Sequence, residues 1–168
     1  METGTTYSAP WGWTLKLLSL LTVVVLVGIS VPLLFSLPPG PLYRGLPVLG
    51  ILIVLILSAL FTIRGYTLTG QTLLVKRLVW NTRVDLSHLA MVEADPKAMS
   101  NSIRLFGNGG AFAFSGWFRN RKLGSYRAYA TDPARSVVLK FADKKTIVVT
   151  PEPPDAFIAA VKQAQNLG

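Results

Sequence analysis

Two apolar runs without a charged side chain fill most of the first third of this chain, and they constrain it more than anything else in the sequence. No Asp, Glu, Lys or Arg lies between Lys16 and Arg44, or between Arg44 and Arg64. Residues 17–37, LLSLLTVVVLVGISVPLLFSL, can cross roughly 30 Å of hydrocarbon as a helix rising about 1.5 Å per residue. Pro32 is expected to kink or end that helix, and Trp11 and Trp13 precede it like an interfacial aromatic anchor. The run is too long for the apolar part of a cleaved signal peptide, and no A-x-A site follows it. Residues 46–63, LPVLGILIVLILSALFTI, form a second, shorter span. The proline-rich connection PPGPLYRG, 38–45, has no room for a domain, so the two spans form an antiparallel hairpin.

A hairpin leaves both chain ends on one side of the bilayer. Lys16, Arg64, Lys76 and Arg77 lie near the membrane on that side, against Arg44 alone in the turn. The excess of positive charge on the cytoplasmic side of membrane proteins therefore predicts a multi-pass protein of the cell membrane with both termini cytoplasmic. Residues 1–63 are read as an N-terminal tail plus two transmembrane helices, at about 14–37 and 46–63. Residues 64–168 are read as one cytoplasmic domain. Neither span carries the ionisable groups that pumps and proton relays place within the membrane.

The composition beyond the spans narrows the chemistry. There is no cysteine, which excludes disulfides, thiolate catalysis and cysteine-ligated metal sites. The net charge is +9; fifteen of the seventeen Lys and Arg and seven of the eight Asp and Glu follow residue 63, so the domain carries +8. Beside a bilayer, anionic lipid is a simpler partner for that charge than nucleic acid, which is not expected.

From residue 66 the pattern turns to β. Tyr66 and Leu68 alternate with Thr67 and Thr69, and Val84 and Leu86 with Arg83 and Asp85, with turns expected at Gly70-Gln71 and Asn81-Thr82. Further strands are predicted over 126–131, 136–141 and 146–150, joined by hairpin turns at Asp132-Pro133 and Asp143-Lys144. EPPDAFIAAVKQAQNLG then carries helix signals: leading prolines, Asp155 in the first turn, and a terminal glycine, Gly168. Phe157, Ile158 and Val161 share one face of that helix.

The hairpin followed by YTLTGQTLLVKRLVWNTRVDLSHL, GNGGAFAFSGWFRNRKLGSYRAYATD and VVLKFADKKTIVVTPEPPDAFIAAV resembles the bacterial pleckstrin-homology-like (PH) domain family, over about residues 62 to 164. The glycine–aromatic–basic segment and the ending TIVVTPEPPDAF carry most of the likeness. The resemblance implies a two-helix transmembrane hairpin followed by a mainly β sandwich or barrel of seven strands, closed by a C-terminal capping helix. It implies no enzymatic activity.

The segment from 107 to 129 is the place to look for a site. GNGG is not followed by the Lys-Ser/Thr pair or the helix that a phosphate loop requires, and the dinucleotide pattern fails at Phe112. Gly107, Gly109 and Gly110 are therefore read as structural glycines supplying positive φ at a bulge or tight turn. After them, Trp117, Arg119, Arg121, Lys122 and Arg127 interleave aromatic and basic side chains, as a lipid- or partner-binding surface would. The opposing reading makes Trp117 and Phe118 core residues and the charges a solvated turn. His88 is the only histidine; with Ser87 on the opposite face of a strand it has no nucleophile beside it. No metal site and no cofactor are predicted. Asp85, Glu93 and Asp95 are near in sequence and are expected to pair with Arg83 or Lys97.

A domain already tethered to the membrane does not need lipid affinity to reach it, because the tether itself gives an effective concentration on the order of millimolar. The leading expectation is therefore a non-enzymatic interaction or assembly module, partnering itself as a homo-oligomer or another membrane protein, including through a free sheet edge. The alternative is a sensor of anionic lipid or a phosphoinositide-like headgroup acting through residues 117–127.

Overall fold

A computed structural model of the chain describes residues 4–38 and 40–165. Among these residues the order is β1 (Thr5–Ser8), α1 (Trp13–Ser36), α2 (Pro41–Leu60), β2 (Ile63–Thr69), β3 (Thr72–Arg77), β4 (Asn81–Asp85), β5 (Leu89–Ala94), β6 (Ile103–Gly109), β7 (Phe114–Asn120), β8 (Gly124–Ala130), β9 (Val137–Phe141), β10 (Thr146–Val149) and α3 (Pro154–Gln165). The predicted stop at Gly168 lies outside the described residues.

Both apolar runs are helical for most of their length, the second ending at Leu60 with Ile63 already in β2, and both helices are long and apolar enough to cross a membrane. At about 1.5 Å per residue they measure about 36 and 30 Å. α1 runs through Pro32 and stops at Leu37, just before Pro38, a residue type that disfavours helix in the position preceding it. α2 starts at Pro41 rather than 46, because a proline at the first helical position has no amide proton to lose and a φ already helical. Arg44 folds back, and its Nε donates to the Leu37 carbonyl at 3.1 Å, one of the acceptors that α1 leaves open at its end.

The β part is a sandwich. One sheet has the order β1-β2-β3-β4, antiparallel throughout; the other is β5-β9-β10-β8-β7-β6, in which β10 and β8 run parallel. Nine strands rather than seven follow α2, and β1 adds a tenth. The turn expected at Asn81-Thr82 belongs instead to residues 78–80. Asn81 is already paired with Lys76, and the Arg77 amide donates to the Trp80 carbonyl at 3.0 Å. Asp132-Pro133 does not make a hairpin either. It opens a short 3-10 turn, and β10 comes between β8 and β9. Gly70-Gln71 joins the paired strands β2 and β3 as expected, and Asp143-Lys144 joins β9 and β10, Lys144 taking the left-handed φ of 67° that the turn needs.

At its centre the second sheet is buried on both faces, and β10 is accordingly buried at all four positions, Thr146 to Val149. Its inner face contributes Tyr129, Leu139, Ile147 and Val149 to the core between the sheets, against Tyr66, Leu73 and Val75. α3 closes that core with Phe157 and Val161, both fully buried one helical turn apart, and Ile158 packs at its edge. The outer face carries Phe118, Tyr126, Ala128, Val138 and Val148 into a second core, which the first turns of α1 cover with Leu15 and Leu18.

Candidate functional site

The two helices meet the sandwich through different chemistries, and both fix its orientation. Residues 5–8 are not a loose tail. β1 pairs with β2 in the register Tyr7↔Tyr66, so the strand before α1 lies beside the strand after α2. Thr131 Oγ1 donates to the Pro10 carbonyl at 2.9 Å and the Gly12 amide donates to the Thr131 carbonyl at 3.1 Å. Tyr7 packs edge-on against Phe157 of α3, ring centroids 5.2 Å apart. Trp11, expected at the lipid interface, instead packs against Phe112 at 6.1 Å, whereas Trp13 is exposed.

The glycine segment clasps α1. Ser19 is buried; its hydroxyl accepts from the Phe112 amide at 2.9 Å and donates to the Gly110 carbonyl at 3.3 Å. Asn108 shapes the loop by accepting from the Ala111 amide at 2.9 Å and the Gly110 amide at 3.2 Å. Gly110 has φ +127°, and a Cβ there would lie 2.6 Å from Leu18 Cδ1. Gly107, φ +106°, lies in β6 opposite Gly116, φ +147°, so close that a side chain on either would strike the other backbone. Gly109 departs from expectation. It is paired with Phe114 in β6 without positive φ, and its bare Cα leaves room for the Arg104 side chain.

Arg77 holds the end of α2. It is buried, although its position near the spans reads as a charge facing headgroups. Its Nη1 donates to the Phe61 carbonyl at 2.9 Å, Nη2 to Ser115 Oγ at 2.8 Å and Nε to Thr82 Oγ1 at 3.1 Å. Phe61, Tyr129 and Trp80 surround the guanidinium at 5.4, 5.5 and 5.8 Å. Burial is the main force drawing its pKa below the ordinary arginine value, and nearby Arg127 adds to it. The planar fork satisfies three acceptors that a lysine could not reach together.

The five predicted surface residues separate into two groups. Trp117 faces Arg127 in register between β7 and β8, with the guanidinium 6.0 Å from the indole and 5.2 Å from Tyr129. Trp117 is 42 % exposed, so it is not a core residue, whereas Phe118 is buried and stacked on Tyr126 at 5.9 Å. Arg119, Arg121 and Lys122 meet instead with Lys97 around an open cleft of about 860 Å³ at the β7–β8 turn. That turn is the end of the hairpin opposite the one where α1 and α2 attach. Seven strand residues separate the two ends, about 20 Å at 3.3 Å per residue.

The acidic residues find other partners than expected. Asp95 forms an ion pair with Lys122 and accepts from the Lys97 amide, not its ammonium. The Lys122 bond is the first cause holding its carboxyl below the ordinary value. Glu93 pairs with Lys140 at 2.9 Å, and Asp85 accepts from the Ser87 amide at 2.9 Å. His88 is exposed at the β4–β5 turn.

Periodicity misses one further surface. β6 is the edge strand of its sheet, pairing only with β7 among the described residues, and Ile103, Leu105 and Phe106 on it are exposed. Exposure on both faces removes the alternation by which a half-buried strand is recognised. The signal available was compositional: large apolar residues in IRLF just before the glycines.

Comparison with a family model described as bacterial PH domain gives a match over residues 64–165, the sandwich from β2 to α3; β1 lies outside it. Comparisons with curated proteins and with solved structures returned no match. Since the match covers more than half of the chain and coincides with a two-sheet sandwich closed by a C-terminal helix, the chain belongs to the bacterial PH domain family.

Proposed function

We propose that α1 and α2 cross the cell membrane as a hairpin with both termini in the cytoplasm, and that the PH domain they hold is a non-enzymatic interaction module. One observation carries the interaction role: the exposed apolar edge strand β6. Folded proteins ordinarily blunt, cover or charge such an edge, because alternate N–H and C=O groups are free to pair with another strand. Here, beside Arg104 and a bulge between Arg104 and Phe106, the large apolar Ile103, Leu105 and Phe106 remain exposed, with Trp117 beside Phe106 on β7. A partner strand added to β6 would bury them. The partner is a second copy of the chain or another membrane protein, presented to β6 in one orientation because both helix ends are clamped to the sandwich.

A cysteine-free chain makes the test direct. Leu105→Cys in the full-length protein, treated with a short thiol crosslinker in native membranes, is expected to trap a dimer or a second membrane protein. Arg83→Cys, exposed on the other sheet, is expected to trap neither. Only uncrosslinked protein with Leu105→Cys, its fold intact, overturns the reading.

The basic cleft of Lys97, Arg119 and Arg121 favours a second reading, recognition of an anionic headgroup. Its distance along the strands from the helix attachments weighs against a lipid of the same bilayer. Binding of the full chain in neutral nanodiscs to added anionic vesicles, weakened by salt and by Arg119→Ala/Arg121→Ala, would support it; absent or salt-independent binding would remove it.

A further inference from the structure

We infer that the β3–β4 turn, Leu78-Val79-Trp80, is a third membrane contact, inserted among the lipid headgroups and upper acyl chains beside α2. The inference rests on the reading that α2 crosses the membrane.

Strand register places the turn. β2 begins at Ile63, immediately after α2 and its cap Phe61, and Ile63 pairs with Arg77, the last residue of β3. Residues 78–80 therefore project past the level at which the chain leaves α2, toward the helix. The turns after β2 and β4 lie at the other end of the sheet. Contacts agree with the register: the Trp80 ring sits 5.3 Å from the Phe61 ring, edge to face, and Arg77 bonds the Phe61 carbonyl while its amide closes the turn on Trp80.

The surface chemistry fits lipid. Leu78, Val79 and Trp80 are 49, 71 and 38 % exposed, three large apolar side chains in succession on a turn where polar residues are the rule. They continue the exposed apolar surface of α2 through Leu57 and Phe61. Trp is enriched at the depth where hydrocarbon gives way to headgroups, and the partly exposed Lys76, with exposed Arg64, stands just behind the turn to meet anionic phosphates. With the clamps on α1 and α2, a third contact would fix the tilt of the sandwich and hence the direction in which β6 faces.

The test uses the full chain in vesicles of phosphatidylcholine and phosphatidylglycerol, with an environment-sensitive fluorophore on a single introduced cysteine and spin-labelled lipid as quencher. Val79→Cys is expected to give blue-shifted emission quenched most by labels near the headgroup. His88→Cys, at the opposite end of the sheet, is expected to give water-like emission without quenching, and Leu52→Cys, within α2, to be quenched by deep labels. Quenching at Leu52 with none at Val79 removes the turn contact and leaves the anchor standing; no quenching at either removes both. Blue-shifted emission at Val79 that is not quenched by lipid and is lost on dilution means that another protein copy covers the turn, and also overturns the inference. As a second measure that leaves the rings around Arg77 in place, Val79→Asp with the probe at Leu78→Cys is expected to lower shallow quenching severalfold; unchanged quenching overturns it.

Discussion

Tyr7 and Tyr66 face each other in register on β1 and β2, although both apolar helices lie between them in the chain. The segment that enters α1 and the segment that leaves α2 are thus adjacent strands of one sheet. A domain joined to a membrane by a single flexible linker turns freely; one that holds both ends of its hairpin cannot.

Tyr7→Ala tests this closure. Tyr7 is buried against Phe157, and removal of a buried aromatic costs about 3–5 kcal/mol. Denaturation of the full chain in micelles, followed by near-ultraviolet circular dichroism, should show a loss in that range. Thr5→Ala, exposed on the same strand, should stay within about 0.5 kcal/mol.

Arg77→Lys should destabilise the domain by about 1–3 kcal/mol in the same assay, since an ammonium cannot bond Phe61, Ser115 and Thr82 at once and leaves buried acceptors unpaired. Hydrogen exchange should quicken at the end of α2 and at β4. Protection unchanged from the parent protein would mean that the three bonds are dispensable.

Ser19 joins α1 to the glycine loop through two bonds, and Ser19→Ala leaves the Phe112 amide without its acceptor, at a cost of about 1–3 kcal/mol. Gly110→Val should be worse, combining a disfavoured φ with a clash on Leu18. Exchange at residues 110–113 distinguishes the outcomes: faster in both variants if the clasp is as described, unaltered if α1 is held elsewhere.

Tyr66 gives the fold an alkaline limit. Its hydroxyl donates to the Tyr129 carbonyl at 2.6 Å and accepts from the Thr150 amide at 3.1 Å. Burial, opposed by the Thr150 bonds and by Arg77, pushes its pKa up to about 12. Between pH 10 and about 12 the unfolded chain gives up this proton and the folded one keeps it. Stability is therefore full below pH 10 and falls as pH rises, by on the order of 2–3 kcal/mol. Tyr66→Phe should lower stability at neutral pH and flatten the profile over pH 10–12; a profile identical to the parent's would assign the alkaline limit to another group.

Lys122→Ala probes the basic cleft from its acidic side. The ion pair keeps Asp95 below its ordinary pKa, so its contribution is present above about pH 3.9, the unfolded value, and disappears as pH falls through the folded one. Lys122 is largely exposed, which limits the effect to about 1 kcal/mol. The variant and the parent should converge in stability at low pH; a gap that persists there would point to packing instead.

Legibility followed burial. Strands β8, β9 and β10 and the face of α3 could be read because one or both sides are packed, and the apolar pattern records it. The uncharged runs fixed two long apolar helices by length and composition instead, since most of their side chains are exposed. Phe118 and Trp117, adjacent and both aromatic, could not be separated by composition; only the side of β7 on which each stands makes one a core residue and the other half of an exposed pair with Arg127. Arg77 reads as one more cation near a membrane, and its burial depends on three rings from α2, the β3–β4 turn and β8 that no local window contains.

The sequence by itself determined that this chain has two membrane-length helices, a basic β domain and a closing helix, because each follows from local composition and period. It also withheld the phosphate-loop reading from the glycines, since the residues that chemistry requires are not there. Only the tertiary structure decided that residues 5–8 complete a sheet begun some sixty residues later, that Gly110 and Ser19 lock α1 to the domain, and that Arg119, Arg121 and Lys122 lie at the far end of β7 from the helices. These are long-range pairings, and their energies come from groups far apart in the chain.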